Sequence, residues 1–378
     1  MFDMKTQDKI RGSLFGGAVG DALGYAVEFD DAQSIFTRYG RKGITEYALD
    51  QRTGKALISD DTQMTLFTAN GLLVGDTRGC VRGIRACPRV YVEKAYLDWY
   101  FTQMGSYEER STREQYSWLC DVRELYARRA PGNTCLCALR AAEQYGGVDD
   151  YIAQPRNNSK GCGGVMRVAP VAMYDQKDLD NLDMEAAQIA AITHGHSLGY
   201  MPAAVLCHII NRIVFTGMQK MCLKDMVLEA KDTAQRLFRG DAHLQEFCDI
   251  LDRAVLLSDN EESDLKNIKA LGEGWVAEEA LAIAIYCSLR YVDDFDQAII
   301  AAVNHSGDSD STGAITGNIL GAVIGYEAIH EKWKKDLECA DIILEMADDL
   351  CDGCQISECD DDRDPRWAQK YLHMHSAH

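Results

Sequence analysis

Gly12, Gly16, Gly20 and Gly24 stand four residues apart, and so do Gly313, Gly317, Gly321 and Gly325. With 31 glycines in 378 residues, such a run of four is expected ~0.02 times by chance. Each glycine costs about 1 kcal/mol of helix propensity against alanine, so two such runs need a compensating contact. Spacing four places each set on one helix face, a smooth ridge that lets another helix approach backbone to backbone. A pair of membrane helices is excluded, because Asp21 and Glu28 interrupt the first stretch and Asp308 and Asp310 open the second. The reading is two Gly-faced helices at the centre of the protein, each with carboxylates at one end.

The rest of the chain agrees with a helical core. Its six prolines are about 1.6% of positions against a usual ~5%, which spares helices their commonest breaker. Helical periodicity predicts helices near 9–27, 60–74, 89–103, 112–128, 133–145, 184–216, 222–238, 275–292, 294–304 and 311–331. The run 165–173 would pass for a short strand, but nothing alternates at period two long enough to build a sheet. No flexible linker and no internal repeat is visible, so despite its length the expectation is a single compact all-α domain over 1–350, with an acidic tail at 351–378. The formal charge of −20 argues against nucleic acid or anionic lipid held by bulk charge. No window of about 18 consecutive apolar residues points to a membrane span, and the start has no signal-peptide pattern. Fourteen scattered cysteines point to reduced thiols in a cytoplasm.

Three acidic groups carry the chemistry: Asp21 with Glu28; Ser59, Asp60, Asp61 and Thr62; and Asp308, Ser309, Asp310, Ser311 and Thr312. Taken singly, each of the last two reads as a helix N-cap with acids in the first turn. Taken together they read differently, because both sit beside helices expected to be buried and neither is followed closely by Arg or Lys. Clustered buried aspartates repel unless something cationic neutralises them. Hydroxyl and carboxylate oxygens without Cys or His suit Mg²⁺ or Mn²⁺ rather than zinc. Two such clusters suit a pair of ions that polarise a substrate oxygen or a water.

These residues carry a resemblance. Gly20-Asp21-Ala22-Leu23-Gly24 with Glu28, then Ser59-Asp60-Asp61-Thr62, resemble the ADP-ribosylglycohydrolase family. The segment from Ser159 through Arg167 to Pro170, Thr193-His194-Gly195-His196, and His305 through Asp308 and Asp310 to Gly313 follow in the family's order. The likeness spans most of 10–330 and is greatest to the bacterial, dinitrogenase reductase-activating branch. It implies an all-α fold with a dimetal cleft holding two Mg²⁺ or Mn²⁺. By resemblance the metal ligands are Ser59, Asp60, Asp61, Asp308, Asp310 and Ser311, and Glu28 is the catalytic acid–base residue. By resemblance, too, Lys160, Gly161, Cys162, Gly163, Gly164, Val165 and Met166 form a loop around the phosphates of ADP-ribose, and His194 contacts the same ligand. Read on physics alone, Glu28 is an acid at a helix end, the loop a tight turn and His194 a core histidine.

The chemistry fits the parts. Cleaving a ribosyl C1 bond passes through an oxocarbenium-like state that wants anionic surroundings and an activated water. The expected reaction is release of ADP-ribose from an ADP-ribosylated protein or small molecule, arginine-linked by likeness to the bacterial branch. Linkage to serine, a nucleobase or a small guanidino compound, a toxin-immunity role, or a non-catalytic binder of ADP-ribose stay open. Asp21 is read as bracing the site rather than holding metal. Trp275 stands at a loop that resembles the cleft rim. Cys351 and Cys354 with Cys359 have a CxxC spacing for which only His373 or His375 offers a distant fourth ligand, and Asp360, Asp361 and Asp362 read as a solvated run. The stretches 75–90 and 351–378 have no assignable role.

Overall fold

The structure, a computed structural model, describes residues 3–84, 86–173, 178–354, 356 and 364–372. Cys359, the 360–362 run, His373 and His375 lie outside them. The helices in chain order are α1 (Met4–Tyr25), α2 (Ala32–Tyr39), α3 (Asp60–Arg82), α4 (Pro88–Met104), α5 (Asn133–Tyr145), α6 (Leu179–Ala191), α7 (Ser197–Asn211) and α8 (Leu223–Leu237). They continue as α9 (Leu244–Ser258), α10 (Asp264–Leu271), α11 (Ala277–Arg290), α12 (Phe295–Val303), α13 (Ser309–Ile324), α14 (Glu331–Lys334), α15 (Ala340–Asp352) and α16 (Pro365–Tyr371). Among the described residues the only β pairing is two isolated bridges, Ala56 with Leu337 and Gly161 with Val276. The fold is all-α, as expected.

The antiparallel pair α1–α13 forms the axis of the core. A Cβ added to Gly12, Gly16, Gly20 or Gly24 would collide with the carbonyl oxygen of Gly321, Gly317, Gly313 or Ser309 respectively. The reverse holds for Gly313, Gly317 and Gly321 against Gly20, Gly16 and Gly12. Ser13 Oγ donates to the carbonyl of Asn318 at 2.9 Å, and Asn318 Nδ2 donates back to the carbonyl of Ser13 at 2.9 Å. Gly325 closes the seam differently: its backbone packs on Gly12, but with φ +80° it ends α13, its N–H donating to Gly321 O at 2.9 Å, and a Cβ there would meet Asp8 rather than a glycine of α1. Around the axis pack α3, α11, α12 and α15; α7 is buried between α6, α8 and α11, while α4, α6 and α9 form outer layers.

Three expectations are corrected. The 112–128 stretch is not one helix but short 3₁₀ turns at Trp118–Asp121 and Arg123–Tyr126. Buried Asp98 accepts from the N–H groups of Tyr116 at 2.7 Å and Ser117 at 2.9 Å and pairs with Arg113, taking backbone donors a helix would need. The 184–216 stretch breaks between α6 and α7. Asn157 holds the break, donating to Thr193 O at 2.7 Å and accepting from Gly195 N at 3.2 Å, while the His196 side chain caps α7. The strand-like run 165–173 closes in a 3₁₀ turn, Ala169–Met173. Ser197–Thr216 is long and apolar enough to cross a membrane by length and composition, although His208, Asn211 and Arg212 interrupt it, and 89% of its apolar window is buried inside the molecule. α7 is therefore read as a core helix.

Two stretches without an assigned role gain a structural one. Part of 75–90 continues α3 to Arg82. In 351–378, α16 packs on α3, with Trp367 Nε1 donating to Thr77 Oγ1 at 2.9 Å.

Candidate active site

Three helix ends meet beside the glycine seam: the last turn of α1 and the first turns of α3 and α13. Asp21, wholly buried, ties two of them together. Its carboxylate accepts from Ser59 N at 3.0 Å, from Thr62 N at 3.1 Å and from the Thr62 hydroxyl. Ser59 is the N-cap of α3, its Oγ accepting from Asp61 N at 3.1 Å, and Asp308 is the N-cap of α13. Capping and site-building are thus linked: the first-turn acids of two helices, with the Asp308 cap, face the same space, where both helix dipoles favour negative charge.

That space is a cleft of about 420 Å³. Its floor holds Glu28, Asp60, Asp61, Asp308, Asp310 and Ser311. Its walls are Gly161, Cys162, Gly163, Met166 and His194 on one side, the 130–135 turn on another, and Phe29 with Trp275 at the mouth. Asp60 Oδ2 accepts from Gly132 N at 3.3 Å, Ser311 N donates to Asp310 Oδ1 at 3.0 Å, and the Cys162 thiol donates to Asp308 Oδ2 at 2.7 Å. Asp61 Oδ2 and Glu28 Oε2 are buried without a partner. Among the described residues no Lys or Arg pairs with any of these five acids.

The electrostatics follow from that crowding. Burial, then Asp308, Asp60 and Asp21 in that order, push the Glu28 carboxyl up to about 9. Burial first, and neighbouring acids next, hold Asp60, Asp61 and Asp310 well above the usual carboxylate range. Asp21 rises to about 6 through burial, opposed by its bonds to Thr62 and Ser59. Carboxyls crowded into a buried floor with no paired cation keep their protons to higher pH than solvated ones do. Among the described residues no three Asp, Glu, His or Cys side chains already close around one point.

The remaining expected residues divide in two. Gly161, Cys162, Gly163, Met166 and His194 line the cleft; Lys160, Gly164 and Val165 do not, and neither does Ser59. The Lys160 ammonium pairs with Glu278, and its carbonyl accepts from Ala277 N at 2.9 Å. Cys162 N donates to Trp275 O at 3.2 Å, so the loop is anchored to the Trp275 rim. Gly164 packs on Ala190 and Gly199. Sequence reasoning missed the 130–135 wall, legible only as a Pro-Gly-Asn turn. It also missed Phe29, which is 76% exposed and stacks on Trp275 with ring centroids 6.4 Å apart.

Comparison with known proteins bears on this geometry. A solved structure described as an ADP-ribosylglycohydrolase-related protein complex superposes with a TM-score of 0.61 at 24% identity, covering 92% of this chain and 98% of its own. The ADP-ribosyl-[dinitrogen reductase] glycohydrolase of Rhodospirillum rubrum is 24% identical over 338 residues, 88% of this chain and 90% of its own. An ADP-ribosylarginine hydrolase of Serratia proteamaculans is 22% identical over 92% of this chain and 80% of its own. An ADP-ribosylhydrolase of Homo sapiens is 26% identical over 48% of this chain and 54% of its own. A profile of ADP-ribosylglycohydrolases matches residues 3–358. With that match over nearly the whole chain, the protein belongs to the ADP-ribosylglycohydrolase family, whose activity is ADP-ribosyl hydrolysis.

Proposed function

We propose that the cleft hydrolyses the ribosyl C1 bond of an ADP-ribosylated arginine on a protein, releasing ADP-ribose, with two Mg²⁺ or Mn²⁺ as cofactors. The observation that carries the reading is the set of five buried acids, Glu28, Asp60, Asp61, Asp308 and Asp310, gathered at three helix ends without a counter-cation. Their oxygens, with the hydroxyls of Ser311 and Ser59, match hard divalent ions, and the unpartnered Asp61 Oδ2 is a free ligand atom. Asp60, Asp61, Asp308, Asp310 and Ser311 would hold the pair. Ser59, which accepts from Asp61 N and does not line the cleft, would join only by turning its Oγ toward it. Bound ions would supply Lewis acidity to the ribose hydroxyls and to water.

The chain's own residues do the rest. Glu28 is set to exchange a proton with the attacking water or the leaving group. Its raised pKa suits a proton carrier, and neutralising Asp308 and Asp60 would bring it down toward neutral pH. Gly161 and Gly163 let the loop lie against His194 at the cleft wall, where a phosphate group of the substrate would bind. Anionic surroundings favour the developing oxocarbenium ion. Arginine linkage follows the relatives from Rhodospirillum and Serratia, whose names specify a modified reductase and ADP-ribosylarginine. The described residues form no disulfide, which suits a cytoplasmic setting.

The test is release of free ADP-ribose from ADP-ribosyl-arginine with Mg²⁺, with Mn²⁺ and after chelation. Metal-dependent release supports the reading. Release from serine- or nucleobase-linked substrates alone would move the linkage, and binding of ADP-ribose without release from any substrate would make the protein a binder.

A further inference from the structure

Arg167 is the least expected residue around the cleft. It is completely buried, yet its partners are not carboxylates. One terminal nitrogen donates to Met64 Sδ at 3.4 Å and Cys135 Sγ at 3.5 Å; the other donates to Ile189 O at 3.4 Å and Thr193 Oγ1 at 2.7 Å. The ring of Tyr96 lies 4.3 Å from its central carbon, and its Nε has no partner. A buried cation this weakly compensated is costly, and its strongest bond goes to Thr193. Thr193 Oγ1 is in turn 2.8 Å from Nδ1 of His194.

Proton accounting gives the arrangement a direction. A guanidinium only donates, so Thr193 Oγ1 accepts from Arg167 and its own hydrogen must go elsewhere. The Cys135 sulfur beside it already accepts from Arg167 and is a weak acceptor. The imidazole Nδ1 takes the hydrogen, which places the ring's remaining proton on Nε2. That nitrogen lies against the loop: a Cβ on Gly161 would sit 3.2 Å from it and one on Gly163 3.4 Å. We propose that Arg167 and Thr193 act as positioning residues that fix His194 with its proton on Nε2, making it a standing hydrogen-bond donor into the cleft. Burial, and then the Arg167 charge, press the His194 pKa down to about 3, so the ring stays neutral. The titratable groups facing it are Arg167 and the Cys135 thiol, the latter raised by burial. Taking the acceptor to be an anionic oxygen of ADP-ribose rests on the proposed function; the proton's place does not.

Nitrogen-15 NMR of histidine-labelled full-length protein reads the tautomer directly, with the His194 signal assigned by its loss in His194→Gln. The expected result is the Nε2–H neutral form from pH 5 to 8, with no titration in that range. Thr193→Val removes the hydroxyl at nearly equal volume. It should give mixed tautomers and weaken ADP-ribose binding about 5- to 20-fold, the size of one or two lost hydrogen bonds. Mn²⁺ binding should be unchanged, and Thr193→Ser should restore both properties. An Nδ1–H form, a His194 midpoint between pH 5 and 8, or wild-type tautomer and affinity in Thr193→Val would each overturn the inference. If wild-type protein shows the predicted tautomer but binds no ADP-ribose, the relay stands and the hydrolase reading fails.

Discussion

Asp310 and Asp60 are buried carboxyls that repel their neighbours and pair with no Lys or Arg among the described residues, so on the proposed reading each costs the fold stability and is kept for the ion it would hold. Asp310→Asn keeps the shape and removes the charge. ADP-ribose release should fall at least about 100-fold and Mn²⁺ affinity should drop, while metal-free melting stays equal to wild type or rises. Turnover assays, metal titration and calorimetry check the three parts, and wild-type turnover at limiting metal would sink the metal assignment. Asp21 predicts the opposite pattern, since it serves Ser59 and Thr62 rather than the cleft. Asp21→Ala leaves those donors unsatisfied in the interior and should cost about 2–4 kcal/mol of stability, read by urea unfolding. Both acid clusters were legible in the chain because a hydroxyl and two aspartates before an apolar helix form a local pattern. Arg167, Phe29 and the 130–135 wall were not. Their roles come from contacts between distant segments, and nothing in their neighbours announces it.

The glycine seam makes the sharpest prediction for an element. In an exposed helix, Gly→Ala stabilises by about 1 kcal/mol. In the seam the sign should reverse, because the new methyl meets a carbonyl oxygen on a helix that cannot yield. Gly20→Ala and Gly16→Ala should lose at least about 3 kcal/mol or fail to fold. Gly17→Ala, which meets the side chain of Asn318 rather than backbone, should cost less. Thermal melts of the three variants give the order, and a neutral Gly20→Ala would mean the two helices do not approach as described. The seam was readable because its spacing repeats the helix period on both partners. Helix interiors such as 89–103 and 133–145 were readable for the same reason. The 112–128 stretch has helical periodicity as well, but Asp98 on α4 takes its backbone donors, a competition visible only once α4 and the turn are side by side.

At the scale of the whole molecule, the acidic floor links stability to both pH and metal. In the unfolded chain these carboxyls lose their protons near pH 4. In the folded, metal-free protein Asp60, Asp61 and Asp310 hold theirs well above that range, and Glu28 holds its own to about 9. Between those limits the native state binds more protons than the unfolded state, so stability falls as pH rises. Metal-free protein should therefore melt at a progressively lower temperature from about pH 5 to pH 9, a trend ordinary carboxylates with lowered pKa values would reverse. Divalent ions compete with those same protons, so the gain in melting temperature on adding Mn²⁺ should grow with pH across that window, and proton release on binding should appear in calorimetry as a buffer-dependent enthalpy. A single assay thus tests the electrostatics and the cofactor together. A melting temperature independent of pH in metal-free protein would mean that the floor is neutralised by something other than protons. A Mn²⁺ increment that does not vary with pH would place the ion away from these carboxyls.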